Sequence, residues 1–209
     1  FPKLDNSKVK NKKLNTAIKT QNKMDNSTKR LMNELEVFGQ EHEGCYNIPP
    51  DTGQFLNILA RISKAKNVLE VGTSNGYSTI WLGEAAKENN GRITTIEIAE
   101  HKARMAFENF KRARLNKIIK IIHGDALQEI PKLKESFDFL FIDAIKEDYI
   151  KYFKLAYPKL AKNAIIAADN AIMFERYMKD YLNYARKHKD LKSVLVPIGS
   201  GVEFTLKLR

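Results

Sequence analysis

NVLEVGTSNGYSTIWLGEAAKENNGRITTIEI, residues 67–98, is the stretch whose reading decides the fold. NVLEV is a short apolar run of strand type, interrupted at Gly72 and Gly76. A helical segment begins near Gly76, and a second β run, RITTIEI, follows at 92–98. Strand, tight turn, helix and strand in that order form a βαβ unit with parallel strands. The two glycines let the backbone turn sharply and approach a ligand closely. Their G-x-x-x-G spacing, with Ser74 inside it, is not the G-x-G-x-x-G of dinucleotide binding, which disfavours a nicotinamide dehydrogenase.

The alternation continues outward. KIIKIIHG (117–124), FDFLFID (137–143) and AIIAAD (164–169) read as strands, preceded by helices beginning near Glu100, Ala126 and Glu147. A helix over MFERYMKDYLNYARKH precedes SVLVPI (193–198) and VEFTLKL (202–208). The pattern predicts an α/β, doubly wound, mostly parallel sheet with helices on both faces. PIGSG is too short to cross the sheet, so the last two strands are expected to form an antiparallel hairpin. Upstream, Leu31, Met32, Leu35 and Phe38 fall at helical spacing, with Asn26 or Ser27 as the expected cap and Gly44 as the stop. A second helix fits PPDTGQFLNILARISKAK, with Pro50 near its start.

A chain of 209 residues suits one domain with an appendage. The net charge of +11 is uneven: residues 1–30 carry nine Lys or Arg against Asp5 and Asp25. Residues 1–26 therefore read as a solvated Lys/Asn-rich tail, and residues 27–209 as the domain. Cys45 is the single cysteine, which excludes an internal disulfide or a cysteine-held zinc and fits a reducing compartment. His42, His101, His123 and His188 show no ligand spacing. No apolar run approaches the roughly 20 residues of a membrane span, and the cytoplasm is the expected location.

In a doubly wound sheet ligands bind beyond the carboxyl ends of the strands. Polar groups collect there. Glu97 lies about 20 residues past the glycine turn, where an acidic side chain can accept from ribose hydroxyls. Asp125 follows Gly124 after the third strand, as a helix cap or beside an adenine ring. Asp143 and Asp169 each end an apolar run; Lys146 follows the first by three residues and Asn170 the second by one.

NIPPDTGQFL, VLEVGTSNGYST, TTIEI, HGDAL, FIDAIKEDY, AADN and PIGSG, spread over about residues 46–203, together resemble the class I S-adenosylmethionine-dependent methyltransferases, and among them the catechol and caffeoyl-CoA type O-methyltransferases. The resemblance implies a Rossmann-like seven-stranded sheet in the order 3-2-1-4-5-7-6 with strand 7 antiparallel, and extra N-terminal helices. It assigns S-adenosylmethionine to Ile48, Glu70, Gly72, Gly76, Ser78, Glu97, Asp125, Ala126 and Asp143. It assigns Mg²⁺ or another divalent cation to Asp143, Asp169 and Asn170, and makes Lys146 the catalytic base. The substrate falls to Asn47, Ile145, Lys146 and Glu203. Many members read D-A-D-K where this chain has Asp143-Ala144-Ile145-Lys146, so Ile145 is expected to change the substrate wall and not the metal. The implied reaction is methylation of one hydroxyl of a catechol-like small aromatic diol. The alternatives are a tRNA 5-hydroxyuridine methyltransferase, with phosphate contacts from the basic tail, and a non-catalytic S-adenosylmethionine-binding protein. A homodimer is implied as well.

Overall fold

The computed structural model describes residues 24–42 and 44–209, so nearly all of the expected basic tail lies outside the described residues. Helix α1 (Asn26–Glu41) starts from Asp25, whose Oδ1 accepts from Thr28 N at 2.8 Å. The expected caps, Asn26 and Ser27, are displaced by this residue because Ser27 Oγ donates into Asp25 instead. Helix α2 (Pro50–Ile62) begins on a proline, whose missing N–H is unneeded at a first turn.

From Asn67 onward strands and helices alternate as the βαβ reading requires. They are β1 (Asn67–Val71), α3 (Tyr77–Glu88), β2 (Arg92–Glu97), α4 (Glu100–Arg112), β3 (Ile119–His123), α5 (Ala126–Lys132) and β4 (Phe137–Ile142). Next come α6 (Tyr149–Ala156), β5 (Leu160–Ala168), α7 (Lys179–Lys187), β6 (Leu191–Val196) and β7 (Val202–Lys207). The seven strands lie in the order β3-β2-β1-β4-β5-β7-β6. All neighbouring pairs are parallel except β5–β7 and β6–β7, as the short PIGSG connection demands.

Side chains of a strand alternate between its faces, and the core accordingly forms two layers. Val68, Ile93, Phe139, Phe141, Ile165 and Ala167 pack beneath α1 to α4. Leu69, Val71, Ile96, Leu140, Ile142 and Ala168 pack beneath α5, α6 and α7. Two helices are shorter than expected. A 3-10 turn at Lys146–Asp148 precedes α6, and another at Glu175–Tyr177 precedes α7. The second delay has a visible cause: Met173 N donates to Ser200 O and Phe174 N to Asn170 O, so the segment is bonded to neighbours before it becomes α-helical. Among the described residues no helix is long and apolar enough to cross a membrane.

Candidate active site

Backbone ladders run one residue past the strands on one rim of the sheet. Gly72 N donates to Ile96 O, Asp143 N to Val71 O, Asp169 N to Ile142 O and Gly124 N to Glu97 O, all at 2.9–3.0 Å. The parallel register pairs Val71 with Ile142 and Ile142 with Ala168, so Gly72, Asp143 and Asp169 come next in adjacent rows. They open into a cavity of about 890 Å³, lined also by Asn47, Ile48, Glu97, Asp125, Ala126, Ile145, Lys146 and Asn170.

Gly72 has φ +96°, and a Cβ there would overlap the carbonyl of Asp143. Only glycine lets β1 and β4 approach this closely at the rim. The turn is held by Glu97, which accepts from Thr73 N at 3.2 Å, Ser74 N at 2.7 Å and Ala99 N at 2.9 Å. A carboxylate so placed fixes the turn and still lines the cavity. Asp125 caps α5 by accepting from Leu127 N at 2.9 Å, so the cap and the cavity wall are one residue.

Lys146 Nζ, also on the cavity lining, lies 2.9 Å from Asp143 Oδ1. It also sits 5.5 Å from the Tyr149 ring centre and 5.8 Å from that of Phe174. Asp169 is only 1% exposed, and Ser200 Oγ is 2.8 Å from each of its carboxylate oxygens. Burial, and then the Asp143 carboxylate, push the Asp169 carboxyl up to about 7. The same causes raise the buried Tyr149 phenol. Asn170 adopts φ +68°, and its Oδ1 is buried with no hydrogen-bond partner. Asn47 donates to Leu35 O at 2.6 Å and likewise leaves its Oδ1 unpartnered. Ile145 is 51% exposed and lines the cavity, as do Met173 and Phe174.

A family model described as O-methyltransferase matches residues 21–205. The chain belongs to that O-methyltransferase family. It is 41% identical over 130 residues to a catechol O-methyltransferase of Niastella koreensis, covering 60% of this chain and 58% of that protein. It is 26% identical over 202 residues to a caffeoyl-CoA O-methyltransferase of Eucalyptus gunnii, covering 85% and 81%. The O-methyltransferase of Bacillus cereus, solved in complex with SAH, superposes with a TM-score of 0.76 at 26% identity, covering 92% of this chain and 96% of that one. The chain thus spans somewhat over half of the Niastella relative and nearly all of the Bacillus structure. The motif resemblance and the strand order it implies are both borne out.

Within this family member four expected site residues stand away from the cavity wall. Glu70 is fully buried in the layer beneath α3, where Ser78 Oγ donates at 2.7 Å, Thr95 Oγ1 at 2.6 Å, and Thr79 Oγ1 donates as well. Ser78 is therefore committed to Glu70, and Gly76 faces the Phe110 ring. These three residues brace the turn from behind. Glu203 is the fourth. It pairs across the sheet with Ala168, whose side chain faces α7, and so points to that layer. There Arg186 donates to its two oxygens at 2.9 and 2.6 Å, and Ser193 Oγ at 2.6 Å. The expectation of a substrate-facing Glu203 is not met: its carboxylate has no exposed surface and pairs with the partly exposed Arg186. In the other direction, Ser200, Tyr46, Lys102, Met173 and Phe174 line the cavity and had no assigned role. Ser200 lies in PIGSG, and only the fold brings its side chain beside Asp169.

Proposed function

We propose that this chain is an S-adenosylmethionine-dependent O-methyltransferase that requires a divalent cation and methylates one hydroxyl of a small aromatic vicinal diol. The observation that carries the reading is the meeting of Asp143, Asp169, Asn170 and Lys146 on one cavity wall. The buried, unpartnered Oδ1 of Asn170 beside two carboxylates fits a hard cation that takes oxygen ligands. Asp143, Asp169 and Asn170 would hold the cation, which when bound supplies Lewis acidity that lowers the pKa of a coordinated hydroxyl. The catechol and caffeoyl-CoA names of the relatives support the acceptor class.

S-adenosylmethionine fits the glycine-turn end of the cavity, between Glu97 and the apolar surface of Ile98 and Ala126. The acceptor fits against Ile145, Met173 and Phe174. Lys146 Nζ is the group placed to take the proton of the acceptor's hydroxyl. The oxygen then bonds to the methyl carbon in line as the carbon–sulfur bond breaks, leaving S-adenosylhomocysteine. The Tyr149 and Phe174 rings near Nζ favour the ammonium formed by that transfer.

The test is transfer of labelled methyl to a pool of catechols with Mg²⁺ or chelator, using the unaltered chain, Lys146→Ala and Asp169→Ala. Turnover is expected to vanish with chelator or without Asp169, and to fall by roughly 10²–10⁴ without Lys146. Turnover indifferent to chelator would sink the cation requirement. Cofactor binding without turnover on any diol would shift the reading to hydroxylated tRNA, assayed with and without residues 1–23.

A further inference from the structure

We infer that Ser200, in the turn between β6 and β7, is a positioning residue that sets the cation affinity of Asp169 and Asn170. The inference rests on the cation-dependent reading above. Ser200 Oγ stands 2.8 Å from both oxygens of Asp169, a residue 31 positions away in the chain. A hydroxyl carries one proton, so at equal distances that proton is shared between the oxygens and stops the carboxylate from rotating. Both oxygens keep lone pairs for another partner. Ser200 is 8% exposed, which leaves little water to compete for the contact.

The backbone of the same turn holds the other side of the ligand pair. Ala171 N donates to Gly201 O at 2.8 Å, and Ile172 N and Met173 N both donate to Ser200 O at 3.0 Å. Gly201 has φ +89°, and a Cβ there would lie 2.6 Å from Ile172 N, so the turn can approach this segment only through glycine. Asn170, in the left-handed region at φ +68°, lies between the Asp169 carboxylate gripped by the serine hydroxyl and the amides gripped by the turn's carbonyls. Ser200 therefore fixes the oxygens of Asp169 through its side chain and the setting of Asn170 through its backbone. Being neutral, it leaves Asp143 and Asp169 as the charge facing a divalent ion.

Metal-site partners outside the coordinating atoms typically contribute 10–100-fold in affinity. Isothermal titration of Mn²⁺ into the chain, Ser200→Ala and Ser200→Thr tests the role, with S-adenosylhomocysteine binding and thermal melting recorded for each. Ser200→Ala is expected to weaken Mn²⁺ binding by about 10–100-fold with S-adenosylhomocysteine binding kept. Ser200→Thr, which keeps the hydroxyl, is expected to restore most of the affinity. In turnover, the alanine variant is expected to raise the Mn²⁺ concentration for half-maximal rate more than it lowers kcat. Unchanged Mn²⁺ affinity in Ser200→Ala would overturn the inference. So would equal weakening in both variants, since the loss would then come from turn packing and not from the hydroxyl. No Mn²⁺ binding by the unaltered chain would instead remove the cation reading on which the inference stands.

Discussion

Glu70 and Glu203 are both fully buried carboxylates, and the chain treats them in opposite ways. Three hydroxyls surround Glu70 without a cation, and burial pushes its carboxyl from the ordinary 4.5 up to about 7 against those hydrogen bonds. Below pH 4.5 the group is protonated in the folded and unfolded chain alike, and its contribution to stability is fully present. As pH rises toward 7 the unfolded chain ionises first, so that contribution is progressively lost. The full loss is on the order of 3 kcal/mol. Glu70→Gln cannot ionise, so its stability relative to the unaltered chain is expected to rise between pH 5 and pH 8 by urea denaturation; parallel pH curves would refute this. Glu203 instead has Arg186. Arg186→Ala leaves its buried carboxylate without a cation, an arrangement that costs about 3–5 kcal/mol. A large drop in melting temperature with acceptor KM unchanged is expected; a raised KM at full stability would return Glu203 to the substrate.

At the scale of elements, the site depends on turns and on the starts of helices. Gly72 lets β1 pass into α3 beside the Asp143 carbonyl. Gly72→Ala is expected to cost at least about 2 kcal/mol, from its positive φ and the added overlap, and to weaken S-adenosylhomocysteine binding more than it shifts the melting midpoint. Helix α1 offers a contrast remote from the chemistry. Asp25→Ala removes its cap and is expected to cost about 1 kcal/mol with kcat intact. That α1 is capped by Asp25 and not by Ser27 was beyond sequence reading, because both residues are competent caps and their mutual hydrogen bond decides which one serves.

For the whole molecule, one cavity joins the ends of β1 to β5 with the segment before α2 and the β6–β7 turn, so a ligand there bridges segments from Gly44 to Ser200. A ligand bound only by the folded state stabilises it by mass action, about 2.7 kcal/mol at a hundred times Kd. S-adenosylhomocysteine is expected to raise the melting temperature in proportion to the logarithm of its concentration, and Glu97→Ala to abolish the rise. An unshifted melting temperature at high ligand concentration would mean that the folded chain does not bind it, and a rise kept in full by Glu97→Ala would place the ligand away from Glu97.

Local pattern alone determined the order of strands and helices, the parallel βαβ units, the closing hairpin and the rim where polar groups gather. Each of these follows from spacing within one segment or from the length of one connection. The resemblance carried by seven short motifs then named the family. Only the tertiary structure decided which carboxylate faces what. Strand parity sends Glu70 beneath α3 and Glu203 beneath α7, while the ladder bonds that extend β4 and β5 carry Asp143 and Asp169 into the cavity. Ser200 and Asp169, or Arg186 and Glu203, meet only once the sheet has assembled, because hydrogen-bond partners 31 and 17 residues apart leave no periodic trace along the chain.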